Sequence, residues 1–528
     1  APVEHQGRKL VDGGLVDNVP IGEVRDRCKA DVVIAVNVGS PLMKPEEIGS
    51  LLTVSGQMVN ILTEQNVTRS LALLTVDDIY IKPDLEGITA GDFPRHAETA
   101  DRGRAAAEAL MPSLQHLSQP EPVYLAWWKG IEVTSRVSPR IDEVEIIGLK
   151  RVSPELVQRY LHATNGSTIR PTEINRDLLR MYGDGYYESV DYTVLTQRER
   201  NILRVTPIEK SWGPDYLRLA LNLETSTNSP ATFGLRAAYH KTLLNSLGAE
   251  FITSVDVGFT NRLLFDFYQP LDRAQRFFVS TTLGAQQSHM DIYQNDQRIA
   301  NYATREVGAG VYAGMNIGLL GQIRLGWLER DRSFELDTGT PSLPNLSARF
   351  GGVRATLDFD QFDRMYFPTR GWSSRIQYFD TREAGYSRLD AEAMAAVSFG
   401  DTVFNGRLAY TGSPNGQLPT YDAGSLGGFR NMSAYAKGQI IGDDISYVGI
   451  GTEQIIGRLP LGLRGDMRLG IMLEAARAGF RYTEQENTGT LNSLAVYLGG
   501  ETPFGPSYLG LGYSTSGNYN FFLSVGVK

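Results

Sequence analysis

The C-terminal part of the chain, from about Tyr216 onward, is a succession of short segments in which apolar and polar residues alternate. Three examples are Tyr216–Glu224, Met467–Glu474 and Phe521–Lys528, each with apolar residues at every second position. A period of two separates the lipid-facing from the lumen-facing side of a strand, and a closed barrel is the only β-architecture that satisfies its backbone inside hydrocarbon. About sixteen such segments can be recognised, at the spacing of strands joined by alternately short and long loops. Residues 213–528 are therefore predicted to form a transmembrane antiparallel β-barrel.

Composition limits the remaining classes of function. The 528 residues suffice for three domains, and the net charge of -9 argues against a nucleic-acid partner, whose binders usually have a basic patch. The single cysteine, Cys28, excludes an internal disulfide and a thiolate metal site. The histidines show no ligand spacing with one another, so we expect neither a metal nor a cofactor.

The first 120 residues have the pattern of an α/β domain. Asp31–Gly39 is a continuous apolar run rich in β-branched residues, which predicts a strand buried on both faces. A long helix at about Ile48–Leu74, a short strand at Ile79–Lys82 and a second helix at about Ala97–Leu117 are predicted to follow it. Residues 121–138 are assigned to a linker.

Residues 139–212 show the order β-α-α-β-β. A strand at Asp142–Ile147 is followed by Ser153-Pro154-Glu155, which combines a cap, a helix-starting proline and an early acid. Gly148, the Leu178/Leu179–Tyr182 helix end and the turn from Gly185 to Val190 resemble those of a POTRA domain. The resemblance implies a periplasmic module placed before an outer-membrane barrel.

Two further motifs resemble barrels of the BamA type. Asp360–Trp372 (DQFDRMYFPTRGW) is similar to a turn between two strands of that family, and Leu426–Tyr435 (LGGFRNMSAY) to its long loop. The resemblance implies that this loop folds back into the lumen and presents an Arg-Gly-aromatic tip to lumen acids. The residues that would form this lumen site are Gly427, Gly428, Phe429, Arg430, Ser433, Tyr435, Glu453 and Glu474.

The tip of this loop departs from the family pattern. Ser433 stands where the arginine belongs, and Ala434 stands where the glycine belongs. We expect Arg430 or Lys437 to take over the pairing with the lumen acids. An ordinary extracellular loop is the alternative interpretation.

Possible chemistry lies at the start of the chain. A lone Asp-Gly-Gly usually marks a turn, but here Asp12-Gly13-Gly14 is followed by Asn18-Val19-Pro20. Together with Asp31–Gly39, Asn66–Leu74 and Ile81–Leu85, this motif resembles the second half of a patatin-like lipid acyl hydrolase. The resemblance implies a Ser–Asp dyad without histidine, in which the carboxylate of Asp12 accepts the proton of the serine hydroxyl. Gly13, Gly14, Asn18 and Pro20 would support that carboxylate, the two glycines by adopting backbone conformations closed to other residues.

The nucleophile of such a dyad is missing from this sequence. Gly-x-Ser-x-Gly, the strand-to-helix elbow that exposes a catalytic serine, occurs nowhere in the 528 residues. We therefore expect the sequence to be the C-terminal portion of a longer precursor, with the serine upstream, and to be inactive by itself.

Taken together, the three parts resemble the type Vd autotransporters. The resemblance implies a phospholipase A passenger delivered to the cell surface, or released, by its own outer-membrane barrel, with the POTRA domain in the periplasm. Implied partners are outer-membrane lipids, a phospholipid substrate, the barrel assembly machinery and, in a homodimer, a second copy of the chain. The competing interpretation is a non-enzymatic translocator of the BamA or two-partner-secretion type with a vestigial α/β domain. A passive porin is disfavoured, because porins lack a POTRA module.

Overall fold

The computed structural model of the protein divides into two compact units, Ala1–Arg136 and Val137–Lys528. The described residues are 3–5, 7–39, 42–43, 48, 51–88, 95–131, 140–210, 215–458, 465–484, 489–502 and 504–526. Among the described helices, none is both long enough and apolar enough to cross a membrane.

The first unit consists of short strands and helices. Its elements are β1 Val3–His5, β2 Arg8–Leu10, a 3-10 helix at Gly13–Leu15, α1 Ile21–Cys28, β3 Ile34–Val36, α2 Leu51–Leu71, β4 Ile79–Ile81, α3 His96–Ala109, α4 Met111–Gln115 and α5 Glu121–Ile131. Strands β1 and β2 pair antiparallel, and β3 and β4 pair parallel.

The predicted strand at Asp31–Gly39 is shorter in the structure and buried on one face only. Ala35 is 4% exposed, but Ile34 and Val36 are 47% and 48% exposed. The buried face packs on a small core that includes Ile21 and Val67. Among the described residues no element covers the other face, so the prediction of burial on both faces is wrong.

Two other predictions for this unit differ from the structure. The helix expected at Ala97–Leu117 is divided into α3 and α4, because Pro112 lacks an N–H and instead lies in the first turn of a new helix. The segment assigned to a linker begins with helix α5, which contains Trp127 and Trp128. Residues 132–138 of that segment lie outside the described part of the chain.

Asp78 connects three parts of the first unit. Its carboxylate accepts hydrogen bonds from the N–H of Thr75 at 2.7 Å, the N–H of Val33 at 2.8 Å and the hydroxyl of Thr75 at 2.9 Å. It also pairs with Arg25 of α1. The backbone N–H groups of Thr75 and Val33, followed by the Thr75 hydroxyl and Arg25, lower the pKa of Asp78 from 3.8 to about 2.

This shift predicts that acid loosens the first unit. Because the folded pKa lies below the unfolded one, the stabilisation is complete above about pH 4 and is lost as the pH falls toward 2. We expect Asp78→Asn to make this unit sensitive to pepsin at pH 5, where the unaltered chain resists. The exposed neighbour Asp77→Asn serves as the control and should digest like the unaltered chain; equal resistance of the Asp78→Asn chain would contradict the assignment.

The second unit begins with a small domain whose predicted β-α-α-β-β order is confirmed. Its elements are β5 Glu143–Ile146, α6 Pro154–Gln158, α7 Pro171–Gly183, β6 Tyr187–Gln197 and β7 Arg200–Glu209. The sheet order is β5-β7-β6, with β5 parallel and β6 antiparallel to β7. Ser153 caps α6 by accepting the N–H of Leu156, as the sequence predicted. The core packs around Ile141, Met181 and Leu203.

Sixteen long strands follow and close into an antiparallel barrel, as predicted. They are β8 Asp215–Ser226, β9 Thr232–Lys241, β10 Glu250–Gly258, β11 Asn261–Pro270, β12 Phe277–Gln294, β13 Gln297–Ile317, β14 Gly321–Gly339, β15 Leu346–Asp360, β16 Gly371–Asp380, β17 Ser387–Phe399, β18 Thr402–Gly412, β20 Ile440–Arg458, β21 Asp466–Arg481, β22 Leu491–Thr502, β23 Gly505–Tyr513 and β24 Tyr519–Gly526. A short strand, β19 Gly424–Leu426, pairs with the start of β20.

The alternation seen in the sequence separates the two faces of the barrel wall. Leu219 on β8 and Leu473 on β21 are 78% and 63% exposed on the outer face, whereas the adjacent Glu474 points inward and is 4% exposed. Among the described residues, the ladder that closes the barrel pairs β24 with β8 from Phe522–Ser226 to Gly526–Asn222. The last two residues of the predicted strand Phe521–Lys528 lie outside the described part of the chain.

The small domain contacts one end of the barrel. The Tyr186 hydroxyl donates to Glu250 Oε1 at 2.5 Å, at the start of β10. The Ser153 hydroxyl donates to the carbonyl of Arg273, in the turn between β11 and β12, at 3.1 Å. The turns at this end therefore belong to the same side of the membrane as the small domain.

Candidate functional site

The aspartate of the first motif caps a short helix. Asp12 Oδ1 accepts the N–H of Gly14 at 2.8 Å, at the beginning of the 3-10 helix Gly13–Leu15. Asp12 is exposed. The cap uses Oδ1 of the carboxylate.

Of the two glycines in this motif, Gly14 is required for steric reasons. Neither Gly13 nor Gly14 has a positive φ, so the expectation that both adopt conformations closed to other residues is wrong. A Cβ on Gly14 would lie 2.8 Å from Asn18 Oδ1 and 3.2 Å from Asp12 Oδ1, and would displace both side chains. A Cβ on Gly13 would meet nothing within 4 Å.

Helix α2 holds the motif through residues that the sequence analysis did not single out. Asn66 Nδ2 donates to the carbonyl of Gly14 at 3.1 Å, and Asn66 Oδ1 accepts the N–H of Asn18 at 3.1 Å. One turn later the Ser70 hydroxyl donates to the carbonyl of Val19. Pro20 then precedes α1. The segment Asn66–Leu74 resembled the family, but its sequence gives no sign of which polar side chains reach the motif.

The second site is the loop that connects β18 to β20, which folds into the barrel lumen. Glu474 on β21 accepts the N–H of Met432 at 3.0 Å, the N–H of Ser433 at 2.7 Å and the hydroxyl of Tyr447 at 2.8 Å. The next N–H, of Ala434, donates to Ser493 Oγ at 3.0 Å. Three successive backbone N–H groups therefore bind the loop to the wall.

The expected side-chain pairing of the loop with the lumen acids is wrong. In the described part of the chain, Arg430 forms no ion pair with either acid; it reaches Asn405 Oδ1 at 3.3 Å. Lys437 pairs with Glu224 at 2.6 Å. Met432 has a positive φ of +77, and this conformation turns the N–H groups of Met432 and Ser433 toward Glu474. These two backbone donors bind the carboxylate in place of a guanidinium.

The small side chains at the tip let the loop approach the wall closely. Ser433 and Ala434 are fully buried. A Cβ on Gly512 of β23 would lie 2.3 Å from the carbonyl oxygen of Ser433, so the opposing strand also needs a glycine. The small residues Ser433 and Ala434 thus allow the backbone of the loop tip to bind the wall through the N–H groups of residues 432–434, an arrangement that we call the loop lock.

The other predicted lumen residues surround this lock. Gly427 has φ +117, and a Cβ there would lie 1.9 Å from the carbonyl oxygen of Ala436; Gly428 has φ +92. The Phe429 ring packs on Phe522 at 4.5 Å, Tyr508 at 4.8 Å and Tyr497 at 4.9 Å between centroids. The Tyr435 hydroxyl lies 3.0 Å from Ser514 Oγ.

Glu453 has a different partner from the one expected. Arg468 Nη1 donates to Glu453 Oε2 at 3.1 Å, and the Tyr497 hydroxyl donates to Oε1 at 2.8 Å. Arg468 lies on β21 and is 1% exposed. It occurs on the polar side of the alternating segment Met467–Glu474, which was the available signal for a lumen-facing cation.

A second anchor holds the same connection near its beginning and was missed from sequence. Asp422 is buried and accepts hydrogen bonds from Arg332 Nη1 at 2.7 Å and from the Tyr386 hydroxyl at 3.0 Å. Arg330 and Arg388 each reach it at 3.3 Å. The connection is therefore fixed to β14 and β17 as well as to β21.

The Asp360–Trp372 motif forms the connection between β15 and β16, at the end contacted by the small domain. Phe367, with φ +48, is buried and packs on the Tyr508 ring at 5.1 Å. The Arg468 guanidinium lies 5.2 Å from the centre of the Phe367 ring. This turn therefore reaches into the lumen from the opposite side to the loop.

Two family models match the second unit. Residues 139–206 match the POTRA model, described as a surface antigen variable number repeat. Residues 245–506 match the Omp85 superfamily domain. The barrel is an Omp85 domain. This match, together with the POTRA domain before it, supports an outer-membrane location for the barrel.

Solved structures similar to the chain include BamA from Haemophilus ducreyi lacking POTRA domains 1-3. It is 12% identical, with a TM-score of 0.51 over 74% of this chain and 84% of that one. CdiB from Acinetobacter baumannii is 10% identical, with a TM-score of 0.49 over 74% of each chain. The likeness to the first shows the fold of the Omp85 barrel alone.

A curated relative matches a shorter stretch. Lysophospholipase NTE1 of Kluyveromyces lactis is 25% identical over 147 residues, which is 23% of this chain. The chain spans about a tenth, 10%, of the length of that relative.

Proposed function

We propose that the protein is an outer-membrane polypeptide translocator whose cargo is its own first unit, and that this unit is part of a patatin-like lipid acyl hydrolase. The observation on which translocation rests is the loop lock on Glu474. It holds the loop inside the lumen with hydrogen bonds to the backbone at positions 432–434, which can be broken and re-formed without covalent change. The lumen beside the loop keeps a cavity of about 780 Å³. A lumen that holds a loop by reversible hydrogen bonds fits a translocator better than a passive porin.

Two observations support the hydrolase part of the proposal. Asp12 presents an exposed carboxylate with only one oxygen occupied by the cap, and its turn is clamped by Asn66. The curated lysophospholipase aligns with part of the chain at 25% identity. In the proposed reaction a serine hydroxyl attacks the ester carbonyl and its proton passes to Asp12, which returns it to the alcohol that leaves from the tetrahedral intermediate. Water then hydrolyses the acyl-serine, which releases the fatty acid and restores the serine hydroxyl. The proposal requires a serine nucleophile, and the 528 residues contain no Gly-x-Ser-x-Gly.

A non-enzymatic translocator is the second candidate. Both family models match within residues 139–506, outside the first unit. The cap formed by Asp12 would by itself explain an aspartate at that position. Fluorophosphonate labelling of the protein extracted from native outer membranes separates the two candidates, because only a serine hydrolase is labelled.

Locking the loop tests translocation directly. Because the Ala434 N–H lies 3.0 Å from Ser493 Oγ, Ala434→Cys and Ser493→Cys are close enough for a disulfide in a Cys28→Ser background. We expect this pair to stop surface exposure of the first unit in oxidised cells, and a reductant to restore it. Exposure is measured by protease accessibility on intact cells.

Each single-cysteine variant is the matched control and should export like the Cys28→Ser parent. Normal export by the oxidised pair, with the disulfide verified by mass, would contradict the proposal that the loop leaves its seat during translocation.

A further inference from the structure

Most arginines that face the lumen on strands β9–β18 have a carboxylate partner. Arg236 and Arg262 share Asp256, Arg330 and Arg332 share Glu306, Arg388 pairs with Asp390, and Arg407 pairs with Glu392. In the described part of the barrel, Arg324 and Arg354 have no carboxylate within ion-pair distance. Arg324 Nε donates to Gln322 Oε1 at 3.2 Å, and Arg354 Nη2 donates to Gln377 Oε1 at 2.5 Å.

These two arginines are neighbours. In the register of β14 and β15, Arg354 lies opposite Gly326 and Thr356 lies opposite Arg324, so the two arginines are diagonal neighbours on the lumen face. Such pairs are roughly 7 Å apart, within reach of long side chains, and like charges so placed repel each other. The next carboxylate on that face of β15, Asp358, is bound by Arg375 at 3.1 Å. Two adjacent cations are thus left to be neutralised from the lumen.

A cavity lies in front of the pair. Its volume is about 490 Å³, and Arg324, Arg354, Thr282 and Thr356 line it. Gly308, on β13, also lines it, and a Cβ there would meet nothing closer than 3.6 Å. The cavity wall therefore has no side chain at position 308, and the volume leaves room for acidic side chains in front of the two arginines.

We propose that Arg324 and Arg354 form a binding site for carboxylate side chains of an acidic polypeptide in the lumen. This inference rests on the proposed translocation of the first unit. Residues 1–136 contain 19 Asp and Glu against 13 Lys and Arg, so the proposed cargo is acidic and complements the two cations. Guanidinium groups form bidentate hydrogen bonds with carboxylates, which gives each arginine one acidic side chain to bind.

Isothermal titration of the chain in detergent micelles with a hexaglutamate peptide tests the site. We expect the Arg324→Gln, Arg354→Gln double variant to bind this peptide about tenfold more weakly than the unaltered chain, because two charge-assisted hydrogen-bonding groups are lost. Arg349→Gln is the matched control, since Arg349 lies on the same strand, is exposed and pairs with Glu329 on the outer face. It should bind like the unaltered chain. Heat-modifiable mobility in electrophoresis shows that each variant still forms the barrel.

Three outcomes would overturn the site: no binding of hexaglutamate by the unaltered chain, equal binding by the double variant, or equal displacement of the peptide by millimolar inorganic phosphate, which would mark an adventitious anion site only. Failure here is distinguishable from failure of the proposed function. Surface exposure of the first unit, measured in cells, reports on translocation whether or not the arginines bind the peptide.

Discussion

Asp12→Asn is expected to abolish ester hydrolysis by the complete natural protein, with kcat lowered by about a thousandfold or more. The amide of asparagine cannot accept the proton of the serine hydroxyl at neutral pH. Its Oδ1 can still accept the Gly14 N–H, so the turn should keep its shape. Hydrolysis of a chromogenic short-chain ester by the membrane-embedded protein gives the measurement.

Asp26→Asn provides the matched control, because Asp26 lies exposed on α1 in the same unit, outside the motif. It should leave kcat unchanged, and both variants should retain the heat-modifiable mobility of a folded barrel. If the Asp12→Asn protein still hydrolyses the ester at the original rate, Asp12 is a helix cap and no more.

Glu474→Gln is expected to release the loop from the lumen. Two N–H groups and one hydroxyl converge on this carboxylate, and the residue is 4% exposed. An amide would point an N–H₂ group at one of these donors and remove the negative charge. We expect this to destabilise the conformation with the loop in the lumen by about 3 kcal/mol or more. Maleimide labelling of Ala434→Cys, in a Cys28→Ser background, should rise accordingly, because Ala434 is fully buried when the loop is seated.

Asp266→Asn is a suitable comparison for this variant. Asp266 lies on β11, where the Thr282 hydroxyl donates to its carboxylate at 2.7 Å. Its replacement should leave labelling of Ala434→Cys unchanged. Unaltered labelling in the Glu474→Gln protein would show that the loop is held mainly by its packing, with Phe429 and the buried tip as the main contributors.

The architecture of the second unit was predictable because its signals are local. The alternation in segments such as Met467–Glu474 predicts which face of a strand contacts lipid. Ser153-Pro154-Glu155 predicts where one helix begins. The contacts that hold the loop inside the lumen are not local. Arg332 donates a hydrogen bond to Asp422, 90 residues away, and neither segment contains a pattern that predicts the other as its partner.

The lock was mispredicted for a different reason. The sequence shows side chains, and Arg430 was the cation nearest to the place of the missing family arginine. The backbone of Met432 and Ser433 supplies the donors, and that depends on a positive φ at Met432, which is uncommon outside glycine. In the first unit, likewise, the apolar run Asp31–Gly39 indicated a strand, but it could not indicate that Ile34 and Val36 are about half exposed in the described part of the chain.

The position of Tyr508 has a mechanical consequence. Its ring touches Phe429 of the loop that enters from one side of the membrane and Phe367 of the turn that enters from the side of the POTRA domain. Withdrawal of either phenylalanine would remove an aromatic neighbour from the ring on which the other also packs. Tyr508 therefore joins, within one aromatic cluster, a loop and a turn that enter the barrel from opposite sides of the membrane.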